Sequence, residues 1–258
     1  MSPVLLGLLG SLAAGLMTAA GALPILVGGV PGPRLRDAML GFAAGVMLAA
    51  SFFSLILPAL AAAEVSYGPG ALPAAIACGG ILLGMAAVGL LNEALPHEHF
   101  DSRREGQGGE AFARIWLIVA AITIHNLPEG MAVGVGFGAD GWESGLPLAI
   151  GIGLQNAPEG LAVAVALRAE GYGRGRSFAV ASLTGLVEPL GGLFGAAAVA
   201  LAQPLLPWGL AFAAGAMLYV ISHEIIPETH RGGHQRGATA GLALGLVTML
   251  FLDVWLSA

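Results

Sequence analysis

The chain has 258 residues, of which 57% are hydrophobic and only 10% are charged. Soluble domains carry about 25% charged residues, so this composition excludes an ordinary soluble protein. The net charge of −6 comes without a basic stripe and gives no indication of a nucleic-acid partner, and a single cysteine excludes an intrachain disulfide.

Long, continuous apolar stretches and a mean hydropathy of +0.84 predict an all-α polytopic membrane protein surrounded by lipid, and exclude a transmembrane β-barrel. We interpret the first stretch as a retained helix, because it lacks the positively charged start of a secretory signal. One domain, 1–258, is expected, with a polar cytoplasmic loop at about 96–112. Hydropathy predicts eight spans, at 3–29, 38–62, 70–95, 113–138, 145–168, 177–202, 206–228 and 237–257.

The basic residues predict the orientation of these spans. The chain has no lysine, and its ten arginines all lie in or beside the connections between spans 1–2, 3–4, 5–6 and 7–8. The other three connections contain no arginine and carry Glu64, Asp140 and Glu143. Because arginine excess marks the cytoplasmic side, both termini are expected on the extracytoplasmic side of the inner (plasma) membrane.

Spans 4 and 5 contain an internal repeat. The sequence His-Asn-Leu-Pro-Glu-Gly-Met-Ala-Val at 125–133 recurs as Gln-Asn-Ala-Pro-Glu-Gly-Leu-Ala-Val at 155–163. Consecutive spans run antiparallel, so a pseudo-twofold axis in the membrane plane can place the two copies at one depth. Inverted repeats that meet near the midplane are typical of transporters.

These copies bring polar groups roughly 16 Å into the membrane. His125 and Glu129 share one helical face, as do Gln155 and Glu159, and Glu188 of span 6 lies at a similar depth. No arginine or lysine lies there, so a bound cation or protons must balance the three carboxylates. Pro128 and Pro158 lack an N–H, so each helix is expected to kink and expose backbone oxygen.

The donors predict the class of cation. Nitrogen and oxygen ligands without thiolate suit Zn²⁺, which we expect first, and also Cd²⁺, Fe²⁺ or Mn²⁺. Imidazole disfavours Mg²⁺ and Ca²⁺. Two alternatives are buried polar residues that only pack helices together, which a duplicated motif disfavours, and a proton relay, which could coexist with metal transport.

Further candidates lie outside the repeat. His223-Glu224 resembles the start of the zinc-protease motif His-Glu-x-x-His, but position 227 is proline, which disfavours an intramembrane metal-dependent enzyme. His97 and His99 of the cytoplasmic loop could collect released metal or could simply be solvated. Asp253 could attract cations near the outer end of span 8, and Met47 of span 2 could contact a metal or fill the core.

The two repeat copies, together with His223-Glu224-Ile-Ile-Pro-Glu-Thr-His at 223–230, resemble the signatures of the ZIP (Zrt-/Irt-like protein) metal transporters. The resemblance covers all eight spans and is closest to the short prokaryotic members. It implies uptake of zinc, and sometimes of other divalent metals, in a 3+2+3 helix arrangement and a homodimer. It also implies elevator-like alternating access, in which helices 1, 4, 5 and 6 move as a unit.

The resemblance also implies roles for individual residues. Midplane metal ligands would be His125, Asn126, Glu129, Gln155 and Glu159, and Glu188 would bridge to a second metal. Asn156 replaces an aspartate found in some two-metal relatives, which weakens the case for a second metal here. His97, His99, His223 and Glu224 would form a cytoplasmic release route, and Met47 and Asp253 would lie on the inner and outer pathway.

The competing classes lack their expected features. An enzyme would need a nucleophile or general base beside an open metal position, and the sequence offers no such group. A sensor usually carries a cytoplasmic domain, for which the longest loop is too short. The sequence therefore predicts a transporter without a resident cofactor, and leaves open a broad-specificity Fe/Mn/Cd transporter of the same family.

Overall fold

The computed structural model describes residues 1–28, 31–94, 109–169 and 171–256. These residues form long helices joined by short connections, and this part of the chain contains no strand. Seven of the helices are long and apolar enough to cross a membrane. The prediction of an all-α polytopic membrane protein is therefore confirmed.

We number eight helical segments α1–α8 in chain order. The observed bounds follow the predicted spans to within a few residues, except that α2 extends by five residues at each end. The added residues include Arg34, Asp37 and Glu64. Hydropathy detects only the apolar part of a helix, whereas the helix itself can continue into the polar membrane surface. The segments are α1 Pro3–Ile25, α2 Pro33–Tyr67, α3 Ala71–Ala94, α4 Gly109–Asp140, α5 Trp142–Ala169, α6 Arg174–Leu201, α7 Leu206–Arg231 and α8 Gln235–Leu256. The helix outside the seven candidates is α4.

Three segments depart from a regular α-helix. In α2 and α7 the residues Ala50–Ile56 and Ile221–Ile225 are π-helical. Pro58 and Pro227 are the second residues after these stretches, and a proline has no N–H to continue the α-helical ladder. The wider i→i+5 turns therefore arise where the regular ladder is interrupted.

The third departure is a break in α6, where span 6 was expected to be continuous. The helix Arg174–Gly185 ends, and a second helix begins at Glu188 and runs to Leu201. Pro189 occupies the first turn of this second helix, where its missing N–H is not needed. By contrast, α4 and α5 continue through Pro128 and Pro158.

Glycines bring α1, α4, α5 and α6 into backbone contact with one another. A Cβ atom on Gly130 of α4 would overlap the carbonyl oxygen of Glu188 in α6, and one on Gly160 of α5 would overlap that of Thr18 in α1. Gly15 of α1 has the same relation to Gly185 of α6. Small residues permit this close approach of helices in a membrane. We call these four helices the inner group.

The remaining helices form two glycine-packed pairs, which we call the outer group. Gly41 and Gly45 of α2 lie against the backbone of α8, and Gly84 of α3 lies against that of α7. The outer group contacts the inner group through side chains, as where Met249 of α8 reaches Gly151 of α5. The polar residues of the repeat therefore lie on helices of one closely packed group.

Candidate metal site

Five polar residues of the repeat are buried, as is Glu188, whereas Glu159 is partly buried. His125, Asn126 and Glu129 are between 1% and 7% exposed, and Gln155 and Asn156 are at most 1% exposed. Glu188, the first residue after the break in α6, is completely buried. A carboxylate at a helix N-terminus is stabilised by the helix dipole, so the break gives Glu188 a favourable position inside the membrane.

Two side-chain amides each bond one of the carboxylates. Gln155 Nε2 donates to Glu129 Oε1 at 2.7 Å, and Asn156 Nδ2 donates to Glu188 Oε1 at the same distance. Asn156 Nδ2 also donates to the carbonyl oxygen of Ala14 in α1 at 2.9 Å. Each carboxylate therefore has one oxygen engaged with an amide, and its other oxygen remains for a different partner.

Several buried oxygens have no hydrogen-bond partner among the described residues. Besides the hydroxyls of Thr18 and Ser177, six of them are acceptors that belong to the predicted site, and three of these six are carboxylate oxygens. The atoms are Asn126 Oδ1, Glu129 Oε2, Gln155 Oε1, Asn156 Oδ1, Glu159 Oε1 and Glu188 Oε2. Buried acceptors without a donor are costly, and a cation is the partner that can satisfy several of them together.

Side-chain amide oxygens are candidate ligands besides the carboxylates and the imidazole. The described residues contain no group of three or more His, Cys, Asp or Glu side chains that could hold a metal by themselves. The unpaired amide oxygens of Asn126, Gln155 and Asn156 are neutral donors on the same two helices, α4 and α5. This chemistry combines neutral and anionic oxygen with one imidazole, which suits a borderline cation such as Zn²⁺.

Glu224 contacts the repeat directly. Its Oε1 atom lies 2.7 Å from His125 Nε2, and the residue belongs to the π-helical stretch of α7. The neighbouring His223 ring packs against Tyr219, with ring centroids 5.0 Å apart.

Met47 and Asp253 have other surroundings. Met47 is fully buried in the apolar core. Asp253 Oδ1 accepts a hydrogen bond of 2.6 Å from Ser54 Oγ in the π-helical stretch of α2. His97 and His99 lie outside the described residues.

Sequence reasoning missed the contribution of α1 to the site. The Ala14 carbonyl bonds Asn156, and a Cβ on Gly15 would lie 3.3 Å from Glu188 Oε1. No polar side chain marks these two positions in the sequence. The break before Glu188 could have been found from Pro189, since proline is common in the first turn of a helix.

Comparison with known proteins assigns the family. The model of the ZIP zinc transporter family matches residues 89–253, a range that includes both repeat copies and the motif at 223–230. The chain belongs to the ZIP family. This ZIP chain is 48% identical over 248 residues to zinc transporter GufA of Myxococcus xanthus, covering 96% of this chain and 98% of that protein.

The chain is also similar to a second bacterial ZIP protein and to a human one. Zinc transporter ZIPB of Bordetella bronchiseptica is 49% identical over 95% of this chain and 79% of its own length. Human zinc transporter ZIP11 is 39% identical over 99% of this chain and 98% of its own length. Family membership confirms the prediction of a divalent-metal transporter and not an enzyme.

Proposed function

We propose that this ZIP chain carries Zn²⁺ into the cytoplasm through a site between α4 and α5 with ligands His125, Asn126, Glu129, Gln155 and Glu159. The observation that carries the proposal is the set of buried, unpaired oxygens on these helices. A divalent cation gives these acceptors the positive charge that no arginine or lysine provides at this depth. Asn156 and Glu188 form the adjoining position of a second cation.

Zinc is the first candidate because imidazole, amide and carboxylate ligands are all within its usual coordination chemistry. The relatives named above are described as zinc transporters. Cd²⁺, Fe²⁺ and Mn²⁺ are further candidates, since affinity order alone does not select one metal in such a site. Competition between these cations will define the selectivity.

We propose that all eight helical segments cross the inner membrane, with both termini on the extracytoplasmic side. An even number of crossings returns the chain to its starting side, and the arginine distribution assigns that side. The inverted repeat supports a 3+2+3 arrangement in which α4 and α5 are the central pair. The Gln155–Glu129 hydrogen bond between the two copies agrees with this relation.

We propose that the inner group moves as one body against the outer group, in an elevator-like exchange between the two sides. Backbone contacts at glycines hold α1, α4, α5 and α6 together, whereas side chains fill the boundary with the outer group. Side-chain boundaries can slide more readily than interlocked backbones. The ligands would then travel with the body that binds the metal.

We propose that the other predicted residues form a path to and from the site. His223 and Glu224 would receive metal on the cytoplasmic side of the ligands, and His97 and His99 of the loop would release it. Met47 and Asp253 would border the inner and outer parts of the path. A homodimer in the lipid bilayer is proposed as the working unit.

Reconstitution tests this function directly. Purified protein in liposomes that contain a metal-sensitive dye should admit external Zn²⁺, and the initial rate should saturate with concentration. Protein-free liposomes are the control for leak. Cd²⁺, Fe²⁺ and Mn²⁺ are then compared at equal concentrations. A rate equal to that of protein-free liposomes for every cation would contradict the proposed function.

A further inference from the structure

Thr18 of α1 has a hydroxyl that, like that of Ser177, differs from most helical hydroxyls among the described residues. The residue is 1% exposed, and its Oγ1 atom has no hydrogen-bond partner among the described residues. Other helical hydroxyls bond a carbonyl oxygen one turn earlier, as Ser11, Ser51, Thr184 and Thr248 do. This back-bonding is the usual way to satisfy a hydroxyl in a membrane helix.

The corresponding acceptor for Thr18 is already engaged. The carbonyl oxygen one turn earlier belongs to Ala14, and it accepts the hydrogen bond from Asn156 Nδ2. An unpaired hydroxyl in an apolar interior costs free energy. Valine has nearly the same shape without this cost, so packing alone does not account for threonine at this position.

Thr18 lies on the same α1–α6 contact as Glu188. A Cβ on Gly185 of α6 would lie 2.7 Å from Thr18 Oγ1, and a Cβ on Gly15 would lie 3.3 Å from Glu188 Oε1. The pairs Gly15–Glu188 and Thr18–Gly185 are about one helical turn apart along the same α1–α6 contact. The backbone of Thr18 contacts Gly160 of α5, the residue that follows Glu159.

We propose that the Thr18 hydroxyl oxygen is a further ligand of the transported cation, on the α1 side of the Asn156–Glu188 pair. A hydroxyl is a neutral oxygen donor, and unpaired Asn156 Oδ1 and Glu188 Oε2 are the acceptors on the facing helices. Helix α1 then contributes a side chain to the site as well as the Ala14 carbonyl. The inference rests on the proposed function, because it concerns the same cation.

The test replaces Thr18 by valine, and separately by alanine, in the full-length protein. Zinc binding to the purified variants, zinc uptake in liposomes and thermal unfolding without metal are measured together. We expect Thr18→Val to lower affinity and uptake about tenfold, the effect of one lost bond to a charged group. Its thermal stability should equal or exceed that of wild type, because an unpaired buried hydroxyl is removed. Thr18→Ser should retain binding and uptake.

Ser177→Ala is the matched control. Ser177 of α6 is also fully buried with an unpaired Oγ, but it lies roughly 16 Å from Glu188 along the helix. This variant should bind and transport zinc like wild type. Wild-type zinc binding by Thr18→Val, or loss of binding together with loss of stability in both Thr18→Val and Thr18→Ala, would overturn the proposal. Failure of the proposed function would look different from failure of this inference, because liposomes containing the wild-type protein would then take up no metal.

Discussion

His125 of α4 and Glu224 of α7 form a contact of 2.7 Å between an imidazole nitrogen and a carboxylate oxygen. This contact joins the inner group to the outer group, whereas Gln155–Glu129 and Asn156–Glu188 join helices within the inner group. The histidine is also a proposed metal ligand. The bond therefore connects the site to the helices against which the inner group is proposed to move.

Glu224→Ala should weaken zinc binding about 10- to 100-fold. A histidine that ligates a metal through one nitrogen commonly donates its other N–H to a carboxylate, which fixes the orientation of the ring. Titration calorimetry of the purified protein measures the affinity, and His230→Ala on the exposed end of α7 is the control. A higher affinity in Glu224→Ala would mean that Glu224 competes with the metal for His125.

His125→Ala and Glu159→Ala should each abolish zinc uptake while the protein remains folded. Each variant removes one of few donors, and a cation that has left water cannot replace the missing ligand cheaply. Uptake in liposomes and the thermal unfolding temperature are measured for both. Wild-type uptake by either purified variant would refute the ligand assignment.

Glu188→Gln should change the rate or the metal preference and leave measurable transport. Glutamine has no charge, so the position beside Asn156 would hold a second cation less well, while the α4–α5 ligands remain intact. Uptake of Zn²⁺ and Cd²⁺ is compared with that of wild type. Loss of both binding and uptake would instead make Glu188 a primary ligand.

The orientation can be tested with single cysteines. In a Cys78→Ala background, a cysteine at Glu143 should react with an impermeant thiol reagent added from the extracytoplasmic side, and one at Arg174 should react only from inside. Both native residues are exposed, so accessibility does not limit the reaction. The reverse pattern would refute the orientation drawn from the arginines.

Replacing both His97 and His99 by alanine should slow metal release without changing equilibrium binding at the α4–α5 site. Neutral imidazoles bind zinc reversibly, and these two lie in the polar loop on the arginine-rich side. Calorimetry measures binding, and single-turnover efflux from loaded protein measures release. Equal efflux rates in wild type and double variant would assign the histidines to an ordinary solvated loop.

The sequence was sufficient to predict the helical class, the approximate spans and the buried polar residues of α4 and α5. These features follow from local signals, namely apolar length, i,i+4 spacing and the repeated Asn-x-Pro-Glu-Gly sequence. The amide–carboxylate pairing was not predictable in the same way. Gln155 could have faced Glu129 or Glu159, and only the packing of α4 against α5 selects Glu129.

Features that depend on backbone register were also beyond the sequence. The position of Glu224 against His125 requires the π-helical turn at Ile221–Ile225, and hydropathy does not distinguish such a turn from an α-helix. Likewise Asp253 was considered for its charge, but its partner Ser54 is separated from it by most of the chain. Such long-range contacts depend on how the helices pack together.

The π-helical stretch of α2 makes the length of this helix as important as its composition. An i→i+5 turn contains one residue more than an α-helical turn. If Ala50–Ile56 became a regular α-helix at its present length, the preceding half of α2 would rotate by about 100° relative to the following half. Met47, now fully buried, would then turn away from the core. Deleting one residue within the stretch removes the extra residue and keeps the two halves in phase, so such a deletion should be tolerated better here than elsewhere in α2.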